Sequence, residues 1–244
     1  MAGKSWNRSR KRAFDLIVCA LTSVVWVPLM ALCAVLIWYF EGRPIFYVSR
    51  RRVCGKKAIP LLKFRTMVRD ADKIANRTTV PIDGVRFLNL PIDSPLYTPI
   101  GRAIERFHLT ELPQVLHILR GQMSFIGNRP LPENVIACLK EAFPYAEDRF
   151  QTPSGLTGPV QLTGRTKLSD YERLQLEIGY CRLCSRSYST VVDCTILART
   201  VFSVLGIQRF LLPGEVFQWM GQQEAIVETR RFGWQLRRLR RRAS

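Results

Sequence analysis

The longest apolar stretch in the chain, residues 14–40, reads FDLIVCALTSVVWVPLMALCAVLIWYF and carries a single charge, Asp15. About 20 apolar residues suffice to cross a bilayer as a helix, so this run predicts a membrane element near the N-terminus. Basic residues flank both ends: Lys4, Arg8, Arg10, Lys11 and Arg12 before it, and Arg43, Arg50, Arg51, Arg52, Lys56 and Lys57 after it. A simple span would put one cluster on the face that positive charge avoids. A helix that enters, breaks at Pro28 and returns resolves the conflict, because proline removes a backbone donor and bends the helix. Thr22 and Ser23 are candidates to satisfy the freed groups. An ordinary single-span anchor is the alternative.

The pattern then changes period. Residues 44–48 and 57–64 are β-branched and aromatic, with a turn at 53–56, and predict a hairpin or two adjacent strands. A short charged helix follows from Val68 to Asn76, then proline-punctuated residues 77–100, read as an ordered loop or lid. From Leu112 onward, Val115, Leu116, Ile118 and Leu119 give a helix an apolar side that Gly121 ends. Thr110 can cap this helix, Glu111 suits its positive end, and such an end can hold a phosphate. Further helices are predicted over 133–143, 170–183 and 188–207, the last lying along an interface because Asp193 and Arg199 interrupt it. The fold class is α+β, with a re-entrant membrane helix over 1–40, a small hairpin and amphipathic helices in a domain over 41–207, and a basic extension over 208–244.

Composition narrows the partners. A formal charge of +18 and a pI near 10.3 call for an anionic partner: nucleic acid, a membrane surface or a phosphorylated substrate. The seven cysteines are scattered and odd in number, and suit reduced thiols better than a disulfide framework. Cys181 and Cys184 stand as a lone pair without a second pair, read as two thiols on a helix face rather than zinc ligands. The arginine-rich stretch 229–242 carries interleaved Phe232, Trp234, Leu236 and Leu239, fit for anionic lipid headgroups or for nucleic acid.

Three motifs point to one chemistry. Residues 63–67 read KFRTM, residues 109–114 LTELPQ with GNRP at 127–130, and residues 153–165 PSGLTGPVQLTGR. In register, they resemble the bacterial sugar transferases, the monotopic phosphoglycosyl transferases, whose motifs run close to KFRTM, SLDELPQ, GPRP and PGITGWAQVNGR. The resemblance covers roughly residues 10–207. It implies a re-entrant helix just after a Phe-Asp pair, kept here as Phe14-Asp15, and transfer of a phosphosugar from a UDP-sugar to undecaprenyl (polyprenol) phosphate with release of UMP. It implies membrane lipids as surroundings, Mg²⁺ as cofactor and the cytoplasmic face of a bacterial inner membrane as location, at the start of glycan assembly.

The residues carried over are Glu111 and Thr110 for catalysis, Glu111 as metal ligand, Lys63, Arg65, Arg129, Gln161 and Arg165 for the substrate, and Asp15 and Pro28 for the membrane element. Thr110 stands where the family has an aspartate nucleophile, and two roles stay open for it: helix cap and catalytic participant. Other departures are Asn128 for a proline, His108 for a common serine, and Glu105 where arginine is frequent. A hydroxyl needs a base to become a nucleophile, and Glu111 diverges from its neighbour by about 100° on a helix. Two alternatives accompany the enzyme reading. One is a catalytically impaired relative that binds nucleotide-sugar, lipid, a second copy or an active transferase. The other is a membrane-tethered nucleic-acid binder.

Overall fold

The computed structural model describes residues 2–74, 91–164 and 168–226. Arg165, most of the 77–100 loop and the 229–242 arginine run lie outside them.

A single helix, α1, runs from Ala2 to Glu41 with Pro28 inside it. The break expected at Pro28 does not interrupt the helix. Thr22 and Ser23 donate to the carbonyls of Val18 and Ala20 at 2.7 Å each, not to that of Val24, which loses its donor at Pro28. Arg8–Glu41 is long and apolar enough, by length and composition, to cross a membrane. Most of its large side chains, from Leu16 and Ile17 through Val24, Val25 and Val27 to Trp38, Tyr39 and Phe40, are exposed.

Both ends of that apolar run pack on the same body. Phe14 and Cys19 join the main core with Leu61, Val115, Ile118 and Ile126. Cys33 and Ile37 join a second cluster with Phe64 and Ile104, and Leu112 borders both. The N-terminal footing is polar as well as apolar. Buried Asp15 accepts from Ser124 Oγ at 2.8 Å and from the Phe125 N–H at 3.0 Å. Lys11 Nζ donates to Tyr180 Oη and to Asp193 Oδ2, both at 2.8 Å. Asp193 is thus a buried partner rather than a charge on an interfacial helix, and Tyr180 and Tyr188 also donate to it.

Strands β1 (Phe46–Cys54) and β2 (Lys57–Phe64) form the hairpin, paired antiparallel from Phe46↔Phe64. The first strand runs beyond the expected 44–48 because Arg50, Arg51 and Arg52 continue the ladder opposite Pro60, Ile59 and Ala58. Gly55, at φ 51°, turns the chain. Among the described residues helix α2 covers Ala71–Ile74, and α3 spans Pro99–Arg106, capped by Thr98. Next comes α4 (Val115–Leu119), led by a 3-10 turn at Leu112–Gln114.

Two short buried strands, β3 (Ser124–Ile126) and β4 (Gly155–Thr157), pair parallel in the centre. Helix α5 (Glu133–Ala142) lies between them in sequence, and α6 (Asp170–Ser187) and α7 (Thr190–Val204) follow. Ser169 and Glu172 cap α6 reciprocally. The expected boundary at 208 is not a break in packing: residues 213–226 are helical, and Val216 and Met220 enter the main core.

Candidate active site

Helix α3 ends at Phe107, and His108 turns the chain with a left-handed φ of 58°. That conformation is unusual for a residue with a Cβ and persists only where surrounding contacts impose it. Backbone bonds from His108 N to Glu105 O at 3.0 Å and from Leu109 N to Ile104 O at 2.9 Å close the turn. Thr110 therefore folds back over α3, and its hydroxyl donates to Glu105 Oε2 at 2.5 Å. The expected cap is not made: the position before the 3-10 turn is Glu111, with no side-chain capping bond. A five-residue α4 behind that turn offers too little aligned dipole to hold a phosphate by itself.

The carbonyl of Thr110 accepts from Phe64 N at 2.9 Å, which sets the turn against the end of β2. Lys63, the preceding residue, thereby reaches Glu111, donating to Oε1 at 2.7 Å. Arg129, from the loop after β3, donates to the same oxygen at 2.6 Å. Three expected residues, from the KFRTM, LTELPQ and GNRP stretches, thus converge. Burial works against ionisation of Glu111, but Arg129 and Lys63 more than offset it and bring its pKa down to about 2. Burial also lowers the pKa of Lys63, with Arg129 adding to the effect and Glu111 opposing it. Two cations share one carboxylate, which leaves an uncompensated positive charge, and Arg129 keeps 44% of its side-chain surface open.

Arg65 does not join this group. It lies one residue beyond β2, where strand alternation no longer fixes its side, and its guanidinium donates to the carbonyls of Pro44 (2.6 Å), Glu41 (3.0 Å) and Gly42 (2.9 Å). Arg65 therefore ties down the C-terminal end of α1 instead of joining Lys63 as a substrate cation. Gln161 sits in a 3-10 turn behind β4, and among the described residues its side chain makes no hydrogen bond to Lys63, Glu111 or Arg129. Asp15 belongs to the footing of α1.

The arginine loop is held from behind by residues that the motifs did not single out. Asn128, buried, donates through Nδ2 to the carbonyls of Arg149 at 2.8 Å and Glu177 at 3.0 Å. Its value here is this amide donor, which a proline at that position cannot supply. Arg149 in turn donates to the Arg129 carbonyl at 2.9 Å while pairing with Glu177. Arg12, from the basic flank of α1, donates to the last carbonyls of α4, those of Ile118 and Leu119. Nothing in sequence spacing pairs position 12 with 118 or 149 with 177, and Glu105 and Thr110 are five apart, off any common helix face.

Comparison with known proteins agrees with these motifs. A family model described as "Bacterial sugar transferase" matches residues 6–206. The exopolysaccharide production protein ExoY of Sinorhizobium fredii is 30% identical over 198 residues, covering 80% of this chain and 84% of its own. The uncharacterized sugar transferase EpsL of Bacillus subtilis is 31% identical over 207 residues, covering 82% and 90%. A Caulobacter vibrioides protein named UDP-glucose:undecaprenyl-phosphate glucose-1-phosphate transferase is 30% identical over 202 residues, covering 80% of this chain and 70% of its own.

Proposed function

This chain belongs to the bacterial sugar transferase family, a family of enzymes, and on that premise we propose that it moves a phosphosugar from a UDP-sugar to a polyprenol phosphate, releasing UMP. The observation that carries the reading is the convergence of Lys63 and Arg129 on Glu111 Oε1. Two cations against one carboxylate form a cradle with charge left over for an anion. A nucleoside diphosphate-sugar supplies that anion, and Arg129 is open enough to meet it with its planar fork. The donor and acceptor printed in the Caulobacter relative's name have the chemistry this cradle suits.

Mg²⁺ fits the same corner. It takes one or two carboxylates plus substrate phosphates, and both hydrogen bonds to Glu111 fall on Oε1, with none to Oε2 among the described residues. Glu111 would hold the ion, which when bound neutralises diphosphate charge. Lys63 and Arg129 orient the phosphates, and the exposed apolar surface of α1 brings the site to the membrane where the lipid acceptor resides.

Because Phe14 and Cys33 stand on one domain, we read α1 as inserting from a single side rather than threading through, with the cytoplasmic face as the side that holds UDP-sugars. A nucleic-acid role gains no support from any relative named above. The test is UMP release by the purified full chain in lipid nanodiscs with undecaprenyl phosphate and, in turn, UDP-glucose, UDP-galactose and UDP-N-acetylgalactosamine. Release from at least one donor that falls sharply in Lys63→Ala and Arg129→Ala is expected. Silence with every donor overturns the reading.

A further inference from the structure

The cation cradle leaves one contact unexplained, the 2.5 Å hydrogen bond from the Thr110 hydroxyl to Glu105 Oε2. We infer that Thr110 and Glu105 are a nucleophile and its general base, with Glu105 supplying what position 110 lacks without a carboxylate. The inference rests on the transferase reading above and assigns its reacting atoms.

A threonine hydroxyl attacks phosphorus only if a neighbour takes its proton. Two carboxylates stand near Thr110 in sequence, and the structure separates their roles. Glu111 turns away, its Oε1 taken by Lys63 and Arg129, and among the described residues it makes no hydrogen bond to the Thr110 hydroxyl. Glu105 has no cation paired with it among the described residues and lies within hydrogen-bond reach of Oγ1. The turn that brings the two together runs through His108 at φ 58°, a conformation sustained by the contacts around it. Thr98 caps α3 and Gly101 packs against Thr66, so Glu105 projects from a fixed helix. Thr110 is fixed in turn by its carbonyl bond to Phe64 beside the cradle.

The chemistry balances in two displacements. Thr110 Oγ1 attacks the β-phosphorus of the UDP-sugar and its proton passes to Glu105. The Oγ1–P bond forms, the bridging P–O bond breaks, and its electron pair leaves with UMP. A phosphate oxygen of the polyprenol phosphate then attacks the same phosphorus. The Oγ1–P bond breaks, and Glu105 returns the proton to Oγ1. The intermediate is a phosphothreonine diester of the sugar, not an acyl phosphate.

The test uses the full chain in nanodiscs, with the three UDP-sugars as donors. Without acceptor, intact and peptide mass spectrometry is expected to find a sugar-phosphate adduct on Thr110 that survives hydroxylamine, which cleaves acyl phosphates. Glu105→Gln is expected to lower UMP release by about 10²–10⁴-fold, while Thr110→Ser retains it. The double variant Thr110→Asp/Glu105→Gln, with its own ionised nucleophile, is expected to release UMP well above Glu105→Gln alone, a rescue that loss of folding cannot mimic. An adduct on Glu105 or Glu111, or an active wild type with an equally active Glu105→Gln, overturns the pair. Activity in Thr110→Asp with none in the wild type overturns the pair and keeps the transferase scaffold. Silence from both discards the transferase reading and the pair with it.

Discussion

Arg149 and Glu177 meet through two hydrogen bonds, Nε to Oε2 at 2.5 Å and Nη2 to Oε1 at 2.6 Å, with 1% and 3% of their side-chain surface exposed. Removing one partner strands the other charge inside the protein, which costs about 3–5 kcal/mol. Glu177→Gln and Arg149→Met are each expected to lower denaturant midpoints by that order. The double replacement should cost less than the sum, because neither charge is then left unpaired. Denaturation of the four proteins in matched detergent closes the cycle. Independent, additive losses would mean that the pair does not act as a unit.

Lys63 and Arg65 share a motif yet should fail in different assays. Lys63→Ala removes a charge-assisted bond from the cradle, so kcat/KM for UDP-sugar is expected to fall about 10–100-fold. Its stability should fall only by the Lys63 share of the Glu111 pairing, about 1–2 kcal/mol. Arg65→Ala frees three backbone carbonyls at the end of α1, and a stability loss of about 2–4 kcal/mol is expected. KM should stay near wild type in the fraction that remains folded. The opposite assignment of effects would return Arg65 to the substrate.

Glu111 should mark itself in acid. Its folded-state pKa of about 2 lies below the ordinary carboxyl value, so its stabilising contribution is fully present above roughly pH 5. That contribution disappears as pH falls toward 2. The stability difference between wild type and Glu111→Gln is expected to hold steady from pH 7 to 5 and then shrink by about 3 kcal/mol on the way to pH 2. Urea titrations at stepped pH measure it. A difference that stays flat throughout would contradict the cation-held carboxylate.

Gly101 sets where α3 sits. A Cβ at that position would lie 2.0 Å from the Thr66 carbonyl oxygen, so Gly101→Ala must push the helix away from the hairpin end. Glu105 rides on this helix. Activity should therefore drop further than the modest stability loss of about 1–3 kcal/mol alone would produce. Parallel melting curves and UMP assays compare the two.

Removing divalent ions with EDTA is expected to abolish UMP release, and returning Mg²⁺ to restore it. Full activity in chelator would remove the metal from Glu111.

The elements legible in the sequence were those whose signal is local. The hairpin's alternation, the Ser169 cap of α6 and the apolar helix at the start are all patterns of neighbouring residues, and the KFRTM, LTELPQ and GNRP stretches name Lys63, Glu111 and Arg129, which the structure brings together. What escaped depended on long-range or irregular backbone. The KFRTM motif groups Arg65 with Lys63 as a substrate cation, but β2 ends at Phe64 and Arg65 turns to the carbonyls at the end of α1. Helix logic made Thr110 a cap, but His108 takes a left-handed conformation and turns the hydroxyl toward Glu105. In sequence Asn128 stands out only as a replacement for proline, while its side chain serves the carbonyls of Arg149 and Glu177.

The two footings of α1 also bound how deep the protein can go. Between Cys19 and Cys33, the residues that join the two core clusters, a helix rises about 1.5 Å per residue and has a contour of roughly 20 Å. Whatever its curvature, no backbone point on that stretch can stray more than about 10 Å from its anchors. With the anchoring body resting on the membrane surface, as the proposed function has it, a hydrocarbon layer about 30 Å thick would keep this segment within the nearer leaflet. The lipid acceptor would then present its phosphate from that same leaflet and leave its loaded product there.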